Sequence, residues 1–109
     1  MRYIGNALSL GMLDFAEAGD WVTLRVNRLS LADAQAWAAE PGWVSNVGHQ
    51  DTADLISALL GCPVPMHRIS LSLAPYDSIL VAQYNGPRLE PGAAKLPEGA
   101  SLRWFLVHV

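Results

Sequence analysis

Ile79-Leu80-Val81-Ala82 is an unbroken apolar run, and the turn-forming segment Pro75 to Ser78 precedes it. A short apolar run bounded by turn residues is typical of a strand that is buried on both faces of a sheet. Such a strand lies near the centre of an α/β sheet, because helices or loops must cover both of its sides. The run therefore predicts a central strand, and the other elements are expected to flank it.

Four further segments have the pattern of strands. Apolar and polar residues alternate in Trp21–Arg28 and in His67–Leu73, which is the period of a half-buried strand. Arg2–Leu8 is interpreted as a short first strand and Leu102–Val109 as the last one. Together with the central run, these segments predict a mixed sheet of about five strands.

Helices are predicted by their caps and their apolar spacing. Ser30, with Asp33 three residues later, is an N-cap pattern for an Ala-rich helix over 31–40. The segment 51–60 places its leucines and isoleucine on one face, and Gly61 follows where a left-handed C-cap belongs. A shorter helix, capped by Ser9, is expected to run through Ala16.

Length and composition narrow the class of protein. The chain has 109 residues, a formal charge of -3, 51% hydrophobic residues and 16% charged residues. These values favour one small α/β domain over 1–109, and they argue against disorder, a membrane span and a general binder of duplex DNA. No signal peptide is recognisable at the start of the sequence. The single Cys62 excludes an intrachain disulfide and favours a reducing, cytoplasmic setting.

A long segment over 85–100 is rich in proline and glycine. It contains a near-duplicate, because Arg88-Leu89-Glu90-Pro91-Gly92-Ala93 is followed by Lys95-Leu96-Pro97-Glu98-Gly99-Ala100. Loops of this length in compact domains often carry function, so one interpretation is a binding loop or lid. The alternative is a proline-stiffened connection over the edge of the sheet.

The segment Gly48-His49-Gln50-Asp51-Thr52 lies at the start of a predicted helix. A helix N-terminus offers unpaired N–H groups and the positive end of the dipole, which suit a phosphate. His49 at this entrance could donate a proton to a leaving oxygen. The alternative is a turn histidine, with Asp51 or Thr52 acting only as the N-cap.

Other polar residues could contact an anionic ligand. Arg68 and Arg88 could each form charge-assisted hydrogen bonds to phosphate, although either could equally be a solvated surface arginine. Asn6 and Ser9 flank the junction of the first strand and the first helix, where capping is the competing role. Gln83 follows the buried strand, and its amide needs a partner. No metal-binding, dinucleotide-binding or P-loop motif is present, and no cofactor is predicted.

Several short motifs, taken in order, resemble a known family. The resemblance is to the small viral and cellular family that includes the type III anti-CRISPR ring nucleases, with the archaeal-virus B116-like fold, and it spans nearly the whole chain. Its motifs are Tyr3-Ile4-Gly5-Asn6-Ala7-Leu8-Ser9-Leu10-Gly11-Met12-Leu13, Gly48-His49-Gln50-Asp51-Thr52-Ala53, Leu59-Leu60-Gly61, His67-Arg68 and Gln83-Tyr84-Asn85-Gly86-Pro87-Arg88-Leu89.

The resemblance implies a homodimer with a two-fold symmetric pocket for cyclic tetra-adenylate, the second messenger of type III CRISPR immunity. It implies metal-independent cleavage, in which a ribose 2′-hydroxyl attacks the adjacent phosphate and leaves linear adenylates with 2′,3′-cyclic phosphate ends. By the same resemblance His49 corresponds to a general acid. The ligand-binding positions of the family would fall on Asn6, Ser9, Asp51, Thr52, Arg68, Gln83 and Arg88.

One position departs from the family pattern. The catalytic glutamate of the family precedes a glycine as Pro-Glu-Gly, whereas this chain has Glu90-Pro91-Gly92. Glu90 could reach the site through a shifted loop, although proline restricts both itself and its predecessor. Glu98, which keeps the Pro-Glu-Gly order, could replace it, or the carboxylate could be missing from the site.

Three functions are therefore open from the sequence. The leading one is a ring nuclease with His49 and Glu90 as the catalytic residues. The second is a protein that binds the cyclic oligoadenylate without cutting it, as a sponge or a sensor. The third is a protein that binds another protein through its surface and binds no nucleotide. The 4 Trp of the chain favour it, because tryptophan is enriched at binding hot spots.

Overall fold

One mixed sheet organises the computed structural model, which describes residues 1–109. Its strands in chain order are β1 (Arg2–Gly5), β2 (Arg25–Leu29), β3 (Trp43–Ser45), β4 (Ser78–Asn85) and β5 (Ser101–His108). The helices are α1 (Phe15–Ala18), α2 (Leu31–Ala39) and α3 (Gln50–Leu60), and a 3-10 helix spans Leu10–Met12. In space the strand order is β2-β5-β4-β1-β3, which confirms the predicted five-stranded α/β sheet.

The apolar run at 79–82 forms the centre of this sheet, as predicted. It lies in β4, which pairs parallel with β1 on one side and antiparallel with β5 on the other. All of its residues are buried. β1 in turn pairs parallel with β3, and β5 pairs antiparallel with β2. The sheet therefore has a parallel half and an antiparallel half that meet at β4.

The two faces of the sheet are covered differently. On one face α2 and α3 pack against the strands and form the larger cluster of buried residues, which includes Ala34, Ile56, Leu80 and Trp104. On the other face a smaller cluster around Ile79 and Val81 is covered by the segment around the 3-10 helix and by residues near Leu73. We call this second side the open face, because much of it is left uncovered.

Both predicted helix ends are confirmed. The Ser30 hydroxyl accepts a hydrogen bond from the Asp33 N–H at 3.1 Å and caps α2. Gly61 follows α3 in the left-handed conformation, with φ 73°, and its N–H donates to the Ser57 carbonyl. The left-handed conformation at this position strongly favours glycine, because a residue with a Cβ would strain the backbone there.

The prediction of a strand over His67–Leu73 is wrong. This segment makes only isolated contacts of the strand type at its two ends, where Met66 pairs with Val47 and Leu73 pairs with Leu13. It passes from the edge of the sheet to the open face, so its intermediate residues have no neighbouring strand with which to form a ladder. The alternation arises because Leu71 and Leu73 pack under the open face while their neighbours are exposed.

Other boundaries also differ from the predictions. β3 was not predicted, because it has only 3 residues and directly follows Pro41-Gly42. β1 is shorter than predicted, and β2 begins only at Arg25. The single helix expected after Ser9 is instead a 3-10 helix and the short α1, separated at Leu13, which forms a bridge with Leu73. The Asp14 carboxylate caps α1 by accepting a hydrogen bond from the Glu17 N–H.

The tryptophans belong mostly to the core. Trp104 is buried, and Trp37 and Trp43 pack partly buried against the larger cluster. Trp21, in contrast, is 76% exposed. None of the helices combines the length and the apolar character needed to span a bilayer.

Arg2 joins β1 to the end of α2. Its guanidinium donates to the carbonyl oxygens of Trp37, Glu40 and Pro41 at 2.7, 3.2 and 3.3 Å. It also lies over the indole ring of Trp37, with 4.0 Å between Cζ and the ring centroid. These carbonyls lie at the negative end of the helix dipole, so a cation is favourable there.

We predict that Arg2→Ala lowers the free energy of unfolding by about 1–2 kcal/mol, because it removes charge-assisted hydrogen bonds from the end of α2. Arg25→Ala is the matched control, because Arg25 is exposed on the edge strand β2 and should change stability by less than about 0.5 kcal/mol. Urea unfolding of the two variants measures the difference. Equal losses would show that the contacts of Arg2 do not stabilise the fold.

Candidate functional site

A cleft of about 480 Å³ lies where the parallel strands end. Gly5 of β1 pairs with Val81, so β4 continues beyond β1 and leaves space beside its last residues. The start of α3 and the loop after β4 enclose this space. Pockets at the carboxyl ends of parallel strands are common ligand sites in α/β sheets. The cleft is lined by His49, Asp51, Thr52, Tyr84, Gly86, Pro87, Arg88 and Leu89.

His49 is the N-cap residue of α3. Its backbone is extended, with φ -134° and ψ 136°, and its carbonyl accepts from the Ala53 N–H at 2.9 Å. Neither Asp51 nor Thr52 is the N-cap; both lie in the first turn, and Asp51 places a negative charge near the positive end of the dipole. The His49 side chain makes no capping hydrogen bond and is exposed, so its imidazole is free to contact a ligand in the cleft.

The backbone of Gly48, directly before His49, is held by two side chains. The Asn6 Oδ1 accepts from the Gly48 N–H at 3.4 Å, and Arg68 Nε donates to the Gly48 carbonyl at 2.6 Å. Two residues that the sequence predicted as ligand contacts thus hold the backbone beside the histidine. Gly48 is not left-handed, and nothing lies within 4 Å of a Cβ built on it, so glycine is not required for the turn.

Arg88 provides positive charge on the opposite wall of the cleft. It is exposed and makes no ion pair, since the single salt bridge of the structure joins the Met1 ammonium to Asp77. Leu89, the next residue, is 7% exposed and anchors this part of the loop in the structure. The cleft therefore combines an unpaired arginine, an exposed histidine and the N-terminus of an 11-residue helix, which together suit an anion.

Glu90 lies outside this cleft. It lines a separate cavity of about 550 Å³ within the loop, together with Arg88, Lys95 and Glu98. Arg88 is common to both cavities, whereas His49 is not. In one protomer, the two predicted catalytic residues therefore do not line the same cavity.

The near-duplicate sequences form two similar turns. The Ala93 N–H donates to the Glu90 carbonyl at 3.2 Å, and the Ala100 N–H donates to the Pro97 carbonyl at 3.0 Å. The third residue of each turn is a left-handed glycine, Gly92 with φ 75° and Gly99 with φ 78°. The loop is thus the connection of a β4–β5 hairpin, since Asn85 pairs with Ser101 at its base.

Besides Arg68, three of the predicted ligand residues do not line the cleft that contains His49. Asn6 and Gln83 line an apolar groove of about 330 Å³ on the open face, which includes Phe105. Gln83 faces this groove because successive residues of a strand point to opposite faces of the sheet. Ser9 is exposed beside the 3-10 helix and lines none of the cavities described above.

Tyr84 is the cleft residue that sequence reasoning missed. It follows Gln83 in β4 and therefore faces α3, where it lines the same cleft as His49. Its hydroxyl donates to the Pro87 carbonyl at 2.6 Å. The signal available in the sequence was strand alternation, which places Tyr84 on the opposite face of the sheet from Gln83.

Cys62 takes no part in the cleft. It lies after Gly61, in a shallow depression that includes Pro63 and Pro65. Burial raises the pKa of the Cys62 thiol, which lowers the fraction of reactive thiolate at neutral pH. The residue therefore behaves as a small apolar group of the structure.

Comparison with known proteins gives a family and a fold. A family model described as STIV B116-like matches residues 2–101. Among solved structures, the chain is similar to B116 of Sulfolobus turreted icosahedral virus, with a TM-score of 0.80 and 19% sequence identity over 99% of this chain and 98% of that chain. At this identity the likeness establishes the fold alone. No curated protein sequence matches the chain.

We predict that Gly86→Ala disturbs the base of the loop. A Cβ on Gly86 would lie 2.5 Å from Ala100 Cβ and 2.9 Å from the Tyr84 hydroxyl, so the backbone has to move. The expected loss of stability in urea unfolding is about 1–3 kcal/mol. Gly48→Ala is the matched control and should be nearly neutral, and Ala100→Gly should partly restore the Gly86→Ala protein. A neutral Gly86→Ala would mean that the loop is not packed at this point.

Proposed function

The chain belongs to the STIV B116-like family, and from that premise we propose that it is a metal-independent ring nuclease that opens cyclic tetra-adenylate. One observation carries the proposal: His49 and Arg88 line a single cleft at the N-terminus of α3. A proton donor and a cation at the anion-binding end of a helix are two of the groups that phosphodiester cleavage uses. In cells this activity would remove the messenger that activates type III effector nucleases.

The reaction would proceed within the ligand itself. A ribose 2′-oxygen attacks the adjacent phosphorus in line, and the bond between phosphorus and the 5′-oxygen breaks. The imidazolium of His49 gives its proton to the departing 5′-oxygen. The carboxylate of Glu90, brought to the ligand by a shift of its loop, takes the proton of the 2′-hydroxyl. The products are a 2′,3′-cyclic phosphate end and a 5′-hydroxyl end, so no water is consumed.

The charges of the site fit a phosphate ligand in an otherwise acidic protein. The chain has a formal charge of -3, so attraction of an anion depends on local cations. Arg88 is free of ion pairs, and only the Nε of Arg68 is engaged, with Gly48. The rest of the exposed Arg68 guanidinium would then be available to a ligand bound beside His49.

The proposal includes a homodimer. One protomer presents His49 and Arg88 once, whereas a ring of four nucleotides repeats its phosphates around a symmetry axis. A two-fold dimer would present each group twice, which matches the symmetry of the ring. Light scattering on the purified protein, with and without cyclic tetra-adenylate, measures whether two copies associate.

We predict that His49→Ala slows single-turnover cleavage of labelled cyclic tetra-adenylate by at least about a hundredfold, because a positioned acid contributes that much. Binding should persist, since the helix N-terminus and the arginines remain. The assay uses excess protein and EDTA, and a denaturing gel separates the ring from linear products. His108→Ala is the matched control, because His108 is exposed at the end of β5, outside the cleft. Unchanged cleavage by His49→Ala would contradict the mechanism.

A second candidate function is a protein that binds the ring without cutting it. The separation of the two carboxylates from His49 favours it, because Glu90 and Glu98 line the loop cavity rather than the cleft. Asp51 is the carboxylate that does line the cleft, and its charge lies at the positive end of the α3 dipole. If none of the three carboxylates takes the proton of the 2′-hydroxyl, cleavage would lose a large part of its acceleration. Such a protein would act by sequestering the messenger in stoichiometric amounts.

The order of Glu90 and Pro91 distinguishes the two functions. If the wild-type protein returns an intact ring after denaturation, the double variant Glu90→Pro, Pro91→Glu should gain cleavage, because it restores the Pro-Glu-Gly order. If the wild-type protein cuts the ring, Glu90→Gln and Glu98→Gln, assayed separately, identify the base by a loss of about a hundredfold or more. Intact rings from both the wild-type protein and the double variant would exclude the missing carboxylate as the explanation.

A further inference from the structure

We infer that Tyr84 is a positioning residue that orients Arg88 for anion binding. The inference concerns the cleft of the proposed function, and it rests on that function for the identity of the ligand. Tyr84 lies in the last part of β4, where the strand still pairs with β5, so its backbone is held by the sheet. Arg88 lies on the loop, which has no ladder of its own. A contact between Tyr84 and the backbone next to Arg88 transfers the rigidity of the sheet to the loop.

The contact is the hydrogen bond from the Tyr84 hydroxyl to the Pro87 carbonyl, at 2.6 Å. This carbonyl belongs to the peptide bond that joins Pro87 to Arg88. The proline ring also restricts φ at position 87. The hydrogen bond and the ring together fix the backbone immediately before Arg88.

A second anchor lies immediately after Arg88. Leu89 is 7% exposed, so burial of its side chain opposes movement of the backbone there. Arg88 is therefore held on both sides, by a hydrogen bond before it and by an apolar anchor after it. Its own side chain is exposed and free of ion pairs, which leaves the guanidinium available to the cleft.

The two ends of the loop, at Gly86 and Ala100, also restrict the position of Arg88. Gly86 packs so closely on Ala100 that no Cβ fits between them. The Tyr84 hydroxyl lies beside this contact, at 2.9 Å from where a Cβ on Gly86 would be. The two ends of the loop and the hydroxyl thus meet at one point, two residues before Arg88. Loss of the hydroxyl would free the loop on the side of Arg88 and leave the Asn85–Ser101 pair at its base in place.

Tyr84→Phe tests the inference, because it keeps the ring and removes only the hydroxyl. We expect the Kd for cyclic tetra-adenylate to rise about three- to tenfold, the effect of one hydrogen bond that preorganises the site. The measurement uses the His49→Ala background, so that the ring stays intact. Tyr76→Phe is the matched control, because Tyr76 is 97% exposed at a distant turn.

Non-additivity separates positioning from a general loss of structure. If Tyr84 acts through Arg88, then Tyr84→Phe should have no further effect on the Kd in an Arg88→Ala protein. The slope of log Kd against log salt should also become less steep in Tyr84→Phe, by up to about 0.7, because a phosphate contact is weakened. A structural role alone would weaken binding in both backgrounds equally.

A ligand-free measurement keeps the inference testable by itself. The steady-state ¹⁵N heteronuclear NOE of the Arg88 backbone amide should fall in Tyr84→Phe and stay unchanged in Tyr76→Phe. An unchanged NOE at Arg88 overturns the inference, whether or not the ring binds. If the NOE falls but the wild-type protein binds no ring, the positioning role stands and the proposed function fails. If the ring binds and Tyr84→Phe affects the Kd additively with Arg88→Ala, the inference is overturned and the proposed function stands.

Discussion

The double pairing of β1 is the constraint on which the remainder of the structure depends. β1 has only 4 residues, yet it pairs in parallel with β3 on one side and with β4 on the other. This pairing brings the ends of three strands to one edge of the sheet. Asn6, directly after β1, reaches Gly48 beyond β3, and β4 extends past both strands to carry Tyr84. The cleft exists because β1 ends at Gly5, whereas the chain continues past this point both in β4 and after β3.

The residues around the cleft divide into those with free polar side chains and those that hold the backbone. The side chains of His49 and Arg88 have no partner within the protein. In contrast, the side chains of Asn6 and Tyr84 form hydrogen bonds with backbone peptide groups. Arg68 does both, since one nitrogen binds Gly48 and the remainder is exposed. A site of this kind gains precision because flexible side chains project from backbone that is fixed on either side.

Much of the fold was predictable because its signals are local. The apolar run of β4, the Ser30 cap and the Gly61 cap depend on a few adjacent residues, and each predicted its element correctly. The prediction of a strand over 67–73 was wrong because alternation indicates burial on one side and does not indicate a neighbouring strand. The same reason limits the site prediction. His49 and Arg88 line one cleft, whereas Gln83 lines the groove on the open face and Tyr84 lines the cleft, because successive residues of β4 point to opposite faces.

The topology of β1 also has a consequence for biosynthesis. Its partners in β4 begin at Ser78, so the first strand leaves the ribosome long before the chain that completes its pairing. Contacts of such wide sequence separation form late, since the intervening chain must first be ordered. During translation the side of β1 that pairs with β4 must therefore stay unpaired until β4 emerges, although β3 is available earlier to pair with the other side. A stall of synthesis before that point would leave a nascent chain with open strand edges, the condition under which aggregation competes with folding.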